Sequence, residues 1–178
     1  MSIKNHPNHA KKNIQRYLAD GLLKKNRTIN PKIISRYRSN AIESLAVAKM
    51  CFEGKRSALG TISCSYYAMF YVANAYLTSI GYNTANKIAH KVTSDALCFF
   101  AVDKIQASLL ESFDQAQQEA MGLVLIQAEE IVVSFEHERR KRGVFQYDMS
   151  IEVQWSKANT SLERAERFIF EIDKLVIT

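Results

Sequence analysis

From Arg139 to Asp148 the chain reads Arg-Arg-Lys-Arg-Gly-Val-Phe-Gln-Tyr-Asp, which puts four cations, a helix stop and a Tyr-Asp pair into one short stretch. A guanidinium at Arg142, a phenol at Tyr147 and a carboxylate at Asp148 are the groups needed to hold a phosphate and move a proton beside it, if the turn brings them to one concave spot. Arg139 and Lys141 also have a plainer use. Cations in the last turn of a helix face the negative end of its dipole, and Gly143 suits the left-handed residue that follows. Capping does not account for Arg142 beside Tyr147 and Asp148. No metal site is expected: His6 and His9 stand in a tail without acidic or thiol companions. Cys51, Cys64 and Cys98 lack metal-ligand spacing and are odd in number. They read as buried, reduced thiols, as in a cytoplasmic protein.

The elements that must position this stretch are helices. With 178 residues, 2 Pro and 6 Gly, the composition is that of an ordinary globular domain. Residues 1–9 lack periodicity and are expected to fray. A short basic helix is expected over about 10–25, with Ile14, Tyr17, Leu18 and Leu22 on one side and Gly21 weakening it; Asn26 to Asn30 reads as a linker. Asn30 as cap and Pro31 at the first helical position open a helix that carries Ile34, Tyr37, Ala41, Leu45, Ala48 and Phe52 inward until Gly54. A second, from about 56 to 80, is apolar nearly all round and should be central. A third covers about 85–100, with Ile88, Val92, Ala96 and Phe99 inward.

Asp103 and Gln106 resemble a capping box that opens the next segment. Helical patterning then persists for about 40 residues, longer than a small bundle can match, which predicts a break between Asp114 and Gly122. A final helix starts at Ser150 and carries Val153, Trp155, Ala158, Leu162, Ala165, Phe168, Ile172 and Leu175 as packing residues. Strand-like alternation and hairpin dipeptides are missing. The expected fold is all-α: an up-and-down bundle of four or five helices over 31–178, with an additional basic helix in an N-terminal extension, 1–30. No signal peptide and no membrane span are expected.

The net charge of +6 is unevenly placed. Residues 1–38 hold ten Lys and Arg against one acid, Asp20, so the remaining 140 residues sum to −3. A basic end on a nearly neutral body seeks anions, with nucleic acid or an acidic protein as the candidates.

Several segments, in order, carry a family resemblance. They are Ser63-Cys64-Ser65-Tyr66-Tyr67-Ala68-Met69-Phe70, then Ala73-Asn74-Ala75-Tyr76-Leu77 with Gly81, then Lys87-Ile88-Ala89-His90-Lys91, then Arg142 to Asp148, and finally Ala165-Glu166-Arg167-Phe168-Ile169. Over about 33–175 the chain resembles the HEPN superfamily, specifically its small stand-alone prokaryotic members. The resemblance implies a four- or five-helix bundle, a homodimer with the Arg motif near the dimer cleft, and no cofactor. It also implies RNA or a nucleotide as ligand. Many such proteins are metal-independent endoribonucleases that act as toxins or in phage defence, often beside a nucleotidyltransferase partner.

The nuclease motif of that family is an Arg, a polar residue, a few more residues, then His. Here Arg142 matches, Gly143 replaces the polar residue, and Tyr147 stands where His is expected. A phenol with pKa near ~10 carries protons less well at neutral pH than an imidazole near ~6.5. His137 lies five residues before Arg142 and is rotated from it by about 140° on a helix. Its contribution would have to come across a dimer. Tyr66 and Tyr67 divide into one core tyrosine and one reaching the cleft, while His90 is placed either to contact phosphate or to cross-link the bundle. The candidate site is therefore Arg142 and Tyr147 as catalytic groups, with Arg139, Lys141, Asp148, Tyr67 and His90 binding. Three functions fit: an RNA-cleaving effector, a module that binds RNA, a nucleotide or a partner without cutting, and a purely architectural helical adaptor.

Overall fold

The structure, a computed structural model, describes residues 6–85, 89–122 and 151–177. These residues form an all-α bundle with one small strand pair. Six helices occur among them: α1 (His6–Ala19), α2 (Pro31–Glu53), α3 (Ala58–Ser79), α4 (Ala89–Ala101), α5 (described over 107–122) and α6 (Ile151–Asp173). Strands β1 (Leu23–Lys25) and β2 (Tyr82–Thr84) pair antiparallel, Leu23 opposite Thr84 and Lys25 opposite Tyr82.

The start of α2 follows from two residues. The Asn30 side chain accepts the Lys32 N–H at 3.0 Å, and Pro31 gives up an N–H that would have had no partner there. Its end is less expected. Gly54 does not take the left-handed conformation; Lys55 does, at φ 45°, while the N–H groups of Lys55 and Arg56 donate to the carbonyls of Phe52 and Cys51. This is a Schellman closure, and it reverses the chain within four residues. Ser57 then caps α3 through the Gly60 N–H at 2.9 Å.

Helix α3 packs against both α2 and α6 and is buried on nearly every face, as its apolar composition requires. Around it lie Tyr66, Met69, Val72, Tyr76 and Leu77, joined by Phe113 of α5 and Phe168 of α6, whose rings stack at 5.2 Å. In α5 the buried residues are Leu109, Phe113, Ala116 and Ala120, one helical stripe. A smaller cluster of Ala58, Ile62 and Ala158 is closed by Phe52 and Trp155, with ring centroids 6.0 Å apart, so Trp155 is a packing residue.

Five expectations need correction. The helix expected over 10–25 begins at His6 and ends at Ala19, because Gly21 takes φ +68° and turns the chain. Leu18, placed inward by the pattern, is 40% exposed. Strands β1 and β2 were unforeseen. Each has three residues and its partner is far away in sequence, so neither alternation nor a hairpin dipeptide marks them; Gly81 at φ +87° makes the turn into β2, and its carbonyl accepts from the Asn26 N–H at 2.8 Å. Asp103 does not cap α5: it sits in a turn whose Lys104 and Ile105 N–H groups both reach Ala101, and the helix begins at 107, where the Gln106 carbonyl accepts from Leu109. Lastly, α5 is unbroken from 114 to 122, since its apolar stripe stays in register with α3 and α6.

Candidate nucleic-acid interface

Helix α1 has two faces set by its sequence. At about 100° per residue, Ala10, Asn13, Ile14 and Tyr17 share one side; Lys11, Lys12, Gln15 and Arg16 share the other. Ala10, Ile14 and Tyr17 are buried, the last completely, whereas Lys11, Lys12 and Arg16 are exposed. Leu23 follows into the same core. The basic segment is thus folded onto the bundle.

A carboxylate fixes it there. Asn13 and Tyr17, one turn apart, both donate to Oδ2 of Asp95 in α4, at 3.0 and 2.8 Å. Hydrogen bonds to a charged acceptor contribute about 1.5–3 kcal/mol in general. Burial, followed by the Asp95 carboxylate, pushes the Tyr17 phenol up to about 12, so it remains a donor throughout the physiological range. Beyond α1, Lys24 and Lys25 of β1 are exposed too, Lys25 lying 5.9 Å from the Tyr82 ring. Among the described residues, no ion pair engages Lys11, Lys12, Arg16, Lys24 or Lys25.

The other described site residues lie where α3 meets α4. Tyr66 is fully buried and its hydroxyl is 2.7 Å from Nδ1 of His90; Tyr67, its neighbour, is 39% exposed. Tyr66 is thus the core tyrosine and Tyr67 the exposed one. His90 also lies 4.5 Å from Phe70 and 5.9 Å from Tyr67, centroid to centroid. It cross-links two helices. Burial lowers its pKa, favouring the neutral ring, and burial pushes the Tyr66 phenol well above its usual value, helped by Tyr67 and Asp114. Tyr67 and His90 are thus brought together. His137, Arg139, Lys141, Arg142, Tyr147 and Asp148 lie outside the described residues.

Two further places test for ligand chemistry. An open recess of ≈380 Å³ is lined by Asp103, Lys104, Gln106, Arg167 and Glu171, with Arg167 donating to Gln106 at 2.9 Å. Its acids offset its bases, so it has no clear preference for an anion. Among the described residues no group of three or more His, Cys, Asp or Glu is arranged to hold a metal ion. The three thiols are half-buried and free; burial raises Cys64, and burial with Asp114 and Asp95 pushes Cys98 up to about 11, which makes both poor nucleophiles.

Sequence reasoning missed Asp95. It is one acid in a neutral helix, part of no motif, and only the docking of α1 gives it partners. The Asn13–Tyr17 spacing was the available signal: two donors one turn apart beside a buried stripe ask for an acceptor. Searches among family models, curated proteins and solved structures give no match to this chain.

Proposed function

We propose that this chain is an RNA-directed helical protein of the HEPN type, and that it engages the RNA backbone through the face formed by α1 and β1. The observation that carries this reading is a set of five exposed cations, Lys11, Lys12, Arg16, Lys24 and Lys25, held on ordered elements and left without acidic partners among the described residues. Phosphate contacts of this kind supply sequence-independent affinity and place the substrate; they do not by themselves cut it.

Cleavage, where it occurs, falls to Arg142 and Tyr147 without a metal, in a homodimer cleft that also receives Arg139, Lys141 and Asp148. The family setting is then a toxin or phage-defence effector with a nucleotidyltransferase or another defence protein as partner. Replacement of the motif His by Tyr147 favours a second reading, a module that holds RNA or a nucleotide without cutting.

The test is a titration of labelled single-stranded RNA with purified protein, without metal, between about 50 and 200 mM salt, followed by gel analysis of the RNA at enzyme excess. Binding that weakens steeply with salt is expected. Salt-independent or absent binding removes the proposal; intact RNA with binding retained selects the non-cutting module.

A further inference from the structure

The cations of α1 are useful to a polyanion only if the helix that carries them stays in place. A helix of 14 residues is marginal on its own, and this one has no acid in its first turn to offset its cations. Its order must therefore come from docking. Two kinds of contact dock it. One is apolar, through Ala10, Ile14 and the ring of Tyr17. The other is Asp95, whose single oxygen Oδ2 receives both the Asn13 amide and the Tyr17 hydroxyl, at 3.0 and 2.8 Å.

We propose that Asp95 is a positioning residue for polyanion binding: its carboxylate holds α1 against α4 so that Lys11, Lys12 and Arg16 present a fixed cationic face. This inference rests on the RNA-directed reading above. Its consequence is unusual in sign. Asp95 is an acid behind a basic surface, so on net charge alone its removal should strengthen attraction to a polyanion. Loss of positioning should do the opposite, because cations on a frayed helix must be ordered again each time they bind. Charge and geometry thus make contrary predictions for one substitution, and two related variants separate them further.

Asp95→Ala removes charge and acceptor together. Asp95→Asn removes the charge but keeps a carbonyl oxygen able to accept from Asn13 and Tyr17. The double variant Asn13→Ala/Tyr17→Phe removes both donors, leaves every charge in place and keeps the buried ring; it also covers the case in which Asp95→Ala does not fold.

Binding of a fluorescein-labelled oligouridylate is measured by anisotropy for all four proteins, with amide hydrogen exchange of α1 in parallel. The positioning role predicts about tenfold weaker binding for Asp95→Ala and for the donor-less double variant. The slope of log Kd against log salt should fall by about 2, at ~0.7 for each of three cations. Exchange protection of α1 should be lost in both, while Asp95→Asn should bind at least as tightly as the parent protein. Unchanged or tighter binding by Asp95→Ala, or by the double variant, overturns the inference and leaves RNA binding standing. Failure of the parent protein to bind the oligouridylate removes the RNA-directed reading, and the inference with it.

Discussion

Cations serve two different purposes in two regions of this molecule. Along the seams that α6 makes with α2 and α5, they are paired: Arg38 with Asp173 at 2.6 Å, Lys49 with Glu166 at 2.6 Å, and Arg164 with Glu119 at 3.0 Å. On α1 and β1, among the described residues, they are not. The same residue types therefore act as ties between helices in one region and as a field directed at solvent in the other. The difference lies in the supply of acids. Residues 1–37 offer only Asp20 against nine cations, so most of that charge has no local partner, and the acid that does matter there, Asp95, is taken up by two neutral donors. A charge count alone cannot distinguish these regions; a map of which charges are already satisfied does.

If that separation is real, damage to the seam should cost stability and spare binding. Phe168→Ala, beneath α6, removes a ring stacked on Phe113 and should destabilise the protein by about 3–5 kcal/mol, read as a lower urea midpoint, with the RNA affinity of the folded protein unchanged. A matching loss of affinity would break the comparison. The reverse experiment acts on the face. Reversing Lys11, Lys12 and Arg16 to Glu should weaken RNA binding by at least about tenfold, well over 1 kcal/mol, and flatten its salt dependence, while thermal melting moves little. An equal fall in stability would show that these cations also hold the fold.

Two smaller effects sharpen the picture. Arg38→Ala breaks a half-exposed pair and should cost no more than about 1 kcal/mol in urea denaturation, again without effect on RNA. A larger loss would mean that the α2–α6 seam depends on its ion pairs more than on packing. The least effect expected is a modest dependence on acid, from His90. Its folded pKa is lowered by burial, so as pH falls below the unfolded value near ~6.5 the unfolded chain takes up a proton before the folded one does. Stability should be full above that pH and decline as pH drops toward the folded pKa. Replacing His90 by Gln should flatten this part of the curve; an unchanged slope would locate the titration elsewhere.

Much of the bundle was legible because its signals are local. Asn30-Pro31 marked the start of α2, and the all-round apolarity of 58–79 marked α3 as central. Illegible were features whose cause is distant in sequence. Three-residue strands so far apart in sequence carry no periodicity of their own, as the pairing of Lys24 with Asn83, 59 positions on, shows. Chain length alone predicts a break in the α5 segment, because length says nothing of the neighbours a helix will face; with Leu109, Phe113, Ala116 and Ala120 all buried in one stripe, no break is needed through 122. At the site, Tyr67 and His90 could be named but not joined, and the carboxylate that holds the basic helix could not be named at all.

By itself the sequence determined the helical class, the bounds of α2, the central place of α3 and the concentration of charge in the first 38 residues, because propensity, capping, apolar period and net charge act over a few neighbouring residues. Only the tertiary structure decided that α1 docks rather than trails, that Tyr66 sets its hydroxyl against His90, and, among the described residues, which cations of α1 and β1 are left without an acid. Those outcomes depend on donors and acceptors meeting across long sequence separations, such as the 82 residues from Asn13 to Asp95, and nothing local to either residue announces the other.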